Sequence, residues 1–428
     1  MGVASPPLVR RSGVLLAGAG AAAIVGLTLL PIPAQAPFSA QTPLLCLVCG
    51  DYGGADVVLN LLLFAPLATG LRLLGWPWRR VVMISALLSV AVEYLQYAVV
   101  AGRDASLSDL VTNTAGAAIA AAIAPRLGRL LAPDRALGRR LFFGSMALWL
   151  GVLTLSAFAM MPWVPPGRLR SDCTRSFGRA DAFSGTARSV VLNGVPLPCD
   201  SEISGAAPLR KALRRGEPTL EVVVLSGSPT GRRTLIHALR VPRGFLMVLA
   251  QEGRSASFNA PTLALRLRLY SPVLRLRKAF PPMAGIPVEL HAGIHDRRMW
   301  IWSSHSGGRR RLELALSPSH GWTAILPWGV QAGWPFRLAT ALWIGGLMLP
   351  AAYWAGFAGR PLPGAAGLAA ALAAGLGVLP ALTGYPPAHW SEWLGGVLGA
   401  ALGWALHRSA AYLPSRCGSP STNAYSSS

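Results

Sequence analysis

Ionisable side chains inside apolar helices are costly and by default mark function. Four carboxylates of this chain stand in or at the edges of long apolar blocks: Asp56, Glu93, Asp109 and Glu392. Three of them have polar company at helical spacing. Asp56 and Asn60 are i, i+4 and share a face with Phe64; Ser89, Glu93, Gln96 and Tyr97 form a second polar stripe; Asp109, Asn113 and Gly116 form a third. Arg103 lies in the short loop between the Glu93 and Asp109 blocks. Two chemistries fit this set. Arg103 can contact an anion, a lipid headgroup or a glycan phosphate, while Glu93 serves as a buried acid able to carry a proton. Alternatively Arg103 neutralises Asp109 or Glu93 and the amides bond across helices as a structural clamp. The spacing leaves both open.

These residues have to be positioned by membrane-crossing helices. The chain has 428 residues, 52% apolar and only 13% charged, where soluble proteins carry about a quarter charged residues. That excludes an ordinary cytosolic enzyme. The apolar residues collect in eight blocks, 13–30, 56–74, 81–100, 107–125, 141–161, 336–357, 364–382 and 390–407, each close to the roughly 20 residues a spanning helix needs. Short cytoplasmic loops carry excess Lys and Arg. With the N-terminus inside, thirteen arginines fall on inside segments (Arg10, Arg11, Arg72, Arg79, Arg80, Arg126, Arg129, Arg135, Arg139, Arg140, Arg360, Arg408 and Arg416) and only Arg103 on a short outside loop. The expectation is a multi-pass protein of the plasma or inner membrane with both termini cytoplasmic. Asp56, Asp109 and Glu392 then lie near the outer ends of their spans and Glu93 about two turns below the outer surface. A cleaved signal, with Ala34-Gln35-Ala36 as its cleavage site, is the other reading of the N-terminus, and it leaves the rest of the topology unchanged.

Residues 163–335 change character, from long apolar runs to short alternating ones. Strand-length stretches at 219–225, 234–241, 245–250, 262–270, 288–294, 299–303, 311–316 and 322–326 are separated by Gly, Pro, Ser or Asn, the pattern of an all-β sandwich or jelly roll. This segment lies outside the membrane in the orientation above. It holds 24 of the 39 basic residues and 10 of the 17 acidic ones, about +14 of the net +22. All basic residues but Lys211 and Lys278 are arginine. Solvated strand faces account for much of this charge, and attraction to anionic lipid headgroups or acidic glycans is the functional alternative. Nucleic acid is not an expected partner for a domain facing away from the cytoplasm.

An oxidising exterior permits a disulfide between Cys173 and Cys199, worth about 3 kcal/mol in the chain-entropy model. Cys46 and Cys49 form a C-x-x-C in the first outside loop, without the βαβ context of a redox site, and Cys417 lies in the Ser-rich tail. His291 and His295 sit in a strand-like stretch where i and i+4 are about 13 Å apart, so no metal site is expected. No cofactor is expected either. His237, His305 and His320 have no partner by spacing.

Taken together, Asp56-x-x-x-Asn60-x-x-x-Phe64-x-Pro66-Leu67, Ser89-x-x-x-Glu93-x-x-Gln96, Arg103 and Ser108-Asp109-x-x-x-Asn113-x-x-Gly116 resemble the pattern of the VanZ-like membrane protein family over roughly residues 10–160. A later glycine of that pattern is Ala120 here. The resemblance implies an association with glycopeptide resistance, notably of the teicoplanin type, and carries no catalytic assignment. The inserted segment more weakly resembles concanavalin-like or laminin-G-like jelly rolls, which implies glycan or protein binding. Residues 108–120 also align without gaps to 391–403, keeping an acid (Asp109, Glu392) and a glycine (Gly116, Gly399), as in a degenerate internal copy.

The expected organisation is therefore a five-helix VanZ-like domain at 1–162, a β domain at 163–335, three further spans at 336–408 and a disordered cytoplasmic tail at 409–428. The expected function is engagement of a lipid headgroup or lipid-linked glycan in an outward polar cleft formed by Asp56, Asn60, Glu93, Gln96, Arg103, Asp109 and Asn113. An enzyme using Glu93 and Asp109 as acid and base on a headgroup, or a transporter with Glu93 as proton site, are the alternatives. No Ser–His or Cys–His nucleophile and no phosphate loop supports the enzyme, so the reading leans towards a binding protein. Oligomeric state is not legible.

Overall fold

A computed structural model of the protein describes residues 7–29, 52–100, 106–174, 176, 181–231, 233–242, 244–259, 261–326, 333–359 and 361–412. Arg103, Cys46, Cys49 and Cys417 lie outside the described residues. The helices are α1 (Pro7–Leu29), α2 (Gly53–Leu63), α3 (Ala65–Leu73), α4 (Trp78–Ala98), α5 (Leu107–Ile123), α6 (Leu127–Leu131), α7 (Arg135–Ala159), α8 (Ala207–Arg215), α9 (Trp334–Ala355), α10 (Pro361–Leu372), α11 (Leu379–Thr383) and α12 (Trp390–Tyr412).

Seven stretches among the described residues are long and apolar enough to cross a membrane: Val9–Leu29, Gly53–Leu73, Trp78–Ala98, Leu107–Leu131, Arg135–Ala159, Trp334–Ala358 and Pro363–Thr383. This is a multi-pass membrane protein. Each stretch overlaps one of the first seven apolar blocks. The eighth block is also helical, as the 23-residue α12. It is less apolar because Ser391, Glu392, Gly395, Gly396 and His407 dilute its leucines.

The chain forms two compact units. The first holds residues 1–125, 155–336 and 383–386. Within it α1 crosses α3 where glycines let the backbones meet: a Cβ on Gly70 would lie 2.7 Å from the Gly13 carbonyl oxygen. In the same way Gly116 of α5 faces the backbone of α2, a Cβ there lying 2.8 Å from Leu61 Cα. Ile24, Phe64, Ala68, Val81, Val92, Ala117 and Ala121 fill the space between α1, α3, α4 and α5.

The β domain of this unit comprises β1 (Arg170–Cys173), β2 (Asp181–Ala182), β3 (Thr186–Leu192), β4 (Val195–Pro196), β5 (Ser201–Glu202), β6 (Thr219–Leu225), β7 (Arg233–Val241), β8 (Gly244–Glu252), β9 (Ser255–Asn259), β10 (Val273–Leu276), β11 (Pro287–His295), β12 (Arg298–His305) and β13 (Gly308–Ala315). One sheet runs β10-β9-β8-β7-β1-β5 with β2 beside β7, the other β13-β12-β11-β6-β3-β4. All ladders are antiparallel except β2 on β7. Alternation explains the second sheet: Leu220, Val222 and Val224 of β6 point inward, and Leu290, Ile301, Leu249 and Phe258 from both sheets join them in one core. Cys173 and Cys199 are joined by a disulfide with Cα atoms 5.3 Å apart.

Two expected strands take other forms. Residues 262–270 fold into a 3-10 turn, Leu263–Leu265, followed by further turns. Their amides bond locally, Leu267 N to Ala264 O (3.0 Å), Arg268 N to Leu265 O (3.1 Å) and Leu269 N to Ala264 O (2.9 Å), which leaves none of them for a ladder. Residues 322–326 overlap a 3-10 helix, Pro318–Ala324. There Ser317 caps the first turn, His320 returns a bond to the Ser317 amide and Pro318 sets the helical φ.

The second unit holds residues 126–154, 337–382 and 387–428, so most of α7 belongs with α9 to α12. Trp149, Leu153, Ile344, Met348, Leu372 and Leu376 are its core. A π turn, Ala373–Val378, interrupts the run from α10 to α11. Wider π turns leave carbonyls outside the regular ladder, and the Trp149 indole donates to Ala371 O at 3.2 Å just before it. Trp354 Nε1 donates to Leu130 O (2.8 Å) and the Tyr353 hydroxyl to Leu131 O, satisfying carbonyls at the end of α6. In α12 the acid Glu392 is in the first turn and Gly399 packs on the Gly345 backbone, as Asp109 and Gly116 are placed in α5. The sequence echo is thus also an echo of local structure.

Candidate functional site

The polar residues of α2, α4 and α5 meet at the end of the bundle from which the β domain extends. α2 begins against that domain: Gly54 N donates to Arg268 O at 3.0 Å, and the Tyr52 ring stacks on Tyr270 with centroids 4.2 Å apart. Asp56, in the first turn of α2, is exposed beside Tyr270. The Tyr270 hydroxyl has its pKa raised by burial, and the negative charges of Asp56 and Tyr52 push it further in the same direction.

One turn deeper, Asn60 Nδ2 donates to Asp109 Oδ1 at 2.7 Å, tying α2 to the first turn of α5. The Ser106 hydroxyl caps α5 by accepting from Asp109 N (3.1 Å), and the Ser106 amide donates to Glu93 Oε2 (2.8 Å). A continuous series therefore runs Asn60, Asp109, Ser106, Glu93 across three helices. Asn60, Glu93 and Asp109 are all half-buried, so each carboxylate is partly desolvated yet reachable.

The remaining expected residues divide. Asn113 is buried and donates to Ser89 Oγ at 3.0 Å, while its Oδ1 has no partner among the described residues. Gln96 is buried on another side of α4, donating to Thr28 O of α1 at 3.0 Å, and Thr28 Oγ1 bonds back to Ile24 O at 2.6 Å. Tyr97, grouped with Glu93 by spacing, is 70% exposed. Glu392 is buried in the second unit. Ser106, Tyr52 and Tyr270 are contributors that spacing did not single out. The Ser106-x-x-Asp109 N-cap pattern is the signal that identifies the first.

In the β domain, His291 stacks on Trp302 (3.9 Å, 9° between planes), its cross-strand neighbour, and does not share a site with His295. His295 lies 3.6 Å from Glu217 and 3.3 Å from Asp296, and all three are exposed. His237 is fully buried, with Nε2 3.2 Å from Ser171 Oγ. Burial pushes its pKa down to about 4 against the opposing pull of Asp172.

Comparison with known proteins adds one match. No curated protein and no solved structure matches the chain. The model of the family described as VanZ/LLP1 matches residues 19–129, the span that contains α2 to α5 and every residue of the hydrogen-bonded series. Over those residues, the membrane domain of this protein is VanZ-like.

Proposed function

We propose that the VanZ-like domain engages the headgroup of a membrane lipid or a lipid-linked envelope glycan, on the side of the membrane where the β domain stands, and that the β domain adds contact to glycan or a partner protein. One observation carries this reading. The Asn60–Asp109–Ser106–Glu93 series gathers two half-buried carboxylates and an amide at a single end of the bundle, where hydroxyl, amine and phosphate-bearing headgroups lie. Amides and hydroxyls alone hold helices together. Two partly exposed acids exceed what a clamp requires. Arg103, between them in sequence, supplies the cation for an anionic group. Thirteen arginines on one set of loops support an orientation with this end of the bundle outside the cell membrane and both termini in the cytoplasm. In that orientation the phenotype to examine is susceptibility to glycopeptides of the teicoplanin type.

Native mass spectrometry of the full chain released from membranes tests the reading. The wild type is expected to retain a lipid or lipid-linked species that Glu93→Gln and Asp109→Asn lose at unchanged melting temperature. Retention by both variants refutes it. A fall in melting temperature with no change in bound species assigns the series to helix clamping.

A further inference from the structure

The segment 262–270 ties together the places where two spanning helices leave the membrane. At one end Leu263 N donates to Met161 O at 2.8 Å and Thr262 bridges Pro162, two and three residues beyond the end of α7. At the other end Arg268 O accepts from Gly54 N at 3.0 Å and Ala55 N at 3.3 Å, in the first turn of α2. The strap therefore lies at the level where α2 and α7 meet the membrane surface. Its local turns bury Ala264 and turn Leu267 outward, 53% exposed, between the exposed Arg266 and Arg268. Arg268 holds φ at 55°, the left-handed region that a long side chain rarely adopts. The corner is thus fixed by its two anchors, Arg268's own carbonyl being one of them. Tyr52 and Tyr270, stacked beside it, are residues of the type that settles at membrane interfaces.

We infer that the corner Arg266-Leu267-Arg268 is a membrane-surface contact that binds anionic phospholipid headgroups, Leu267 entering the boundary between headgroups and acyl chains while the guanidiniums take the phosphates. An apolar tip between two cations is what an interfacial anchor requires. The exposed carboxylate of Asp56 is the opposing charge nearby, and two guanidiniums outweigh it. This contact uses residues separate from the Asn60–Asp109–Ser106–Glu93 series and stands whether or not that series holds a ligand.

The test uses the full chain in membranes mixing phosphatidylcholine with phosphatidylglycerol. Benzoylphenylalanine is placed at position 267, or at position 310 near the tip of the β12–β13 hairpin. That tip is a strand length, roughly 25 Å, from the hairpin end that leads into the 3-10 helix packed on α7. Irradiation is expected to yield phospholipid adducts at 267 and not at 310. The adducts should be enriched in phosphatidylglycerol over the mixing ratio by roughly fivefold for each arginine engaged. Arg266→Gln with Arg268→Gln should return the ratio to that of the mixture, while Arg309→Gln with Arg310→Gln should leave it enriched. No adduct at 267 overturns the contact. Adducts at the mixing ratio, or enrichment that survives the Arg266 and Arg268 changes, overturn the headgroup selection.

Discussion

Acidification should weaken the β domain through one residue, His237. It is fully buried in β7, next to Asp172, which is itself held by Arg170 (2.7 Å) and Arg240 (3.2 Å). Its pKa is about 4 in the folded state against 6.5 when unfolded. The folded value is depressed, so the unfolded chain binds the proton more readily. Its neutral-state contribution is intact above pH 6.5 and is lost as the pH falls towards 4. Each tenfold difference in proton affinity between the folded and unfolded chain is worth about 1.4 kcal/mol. The loss relative to pH 7 is therefore about 2 kcal/mol at pH 5 and about 3 kcal/mol at pH 4. The assay is hydrogen exchange of β7 amides in the full chain at pH 7, 5 and 4, corrected for intrinsic rates, in wild type and His237→Gln. Glutamine removes the titration and leaves the carboxylates, His291 and His305 as a common background, so the difference between the two proteins isolates His237. Equal losses of protection in both would refute the reasoning, because burial of the neutral ring would then carry no linkage to pH.

Three further outcomes follow from packing and pairing. Gly116→Ala should destabilise the membrane domain by about 1–3 kcal/mol through overpacking against α2, read as a lower melting temperature, whereas Gly18→Ala, with open space around its Cβ, should leave thermal unfolding unchanged. Reduction of Cys173–Cys199 should cost the β domain about 3 kcal/mol, read as faster proteolysis of that domain alone under reducing conditions. Asp172→Asn should lower the stability of the β domain in denaturant unfolding, since it removes the buried carboxylate shared by the partly exposed Arg170 and Arg240.

The membrane helices were legible because length and apolarity alone define them, β6, β11, β12 and β13 because their inward residues alternate, and β7 and β8, which are buried along nearly their whole length, because they are strand-length apolar runs bounded by Gly or Pro. Periodicity failed at 262–270, where four leucines at every second position would all face a core in a strand; local amide bonding instead sends Leu267 outward. The short β1, β2, β4 and β5 offer two to four residues each, too few for any pattern. Helix α8 hid behind four cations, though Leu209 and Leu213 at i, i+4 and Gly216 in left-handed geometry mark it. In the polar cluster, spacing grouped Gln96 and Tyr97 with Glu93, yet consecutive helical residues are about 100° apart. The neighbouring helices cover only one of those directions, so Gln96 meets α1 and Tyr97 is exposed. Which helix lies beside a given face is a property of the bundle and is not written in the spacing.

The bond from Gln96 to Thr28 O has a consequence for synthesis. α1 leaves the ribosome before α4 and carries, in its last turns, a carbonyl whose donor comes 68 residues later in the chain. At about 5–20 residues per second, α1 spends about 3 to 14 seconds in the translocon or bilayer before α4 arrives to complete it. Its glycine face is likewise bare until α3 follows. Throughout that interval a partly assembled α1 presents small residues and an open polar contact to whatever insertion machinery holds it, and both contacts close only once α3 and α4 have followed.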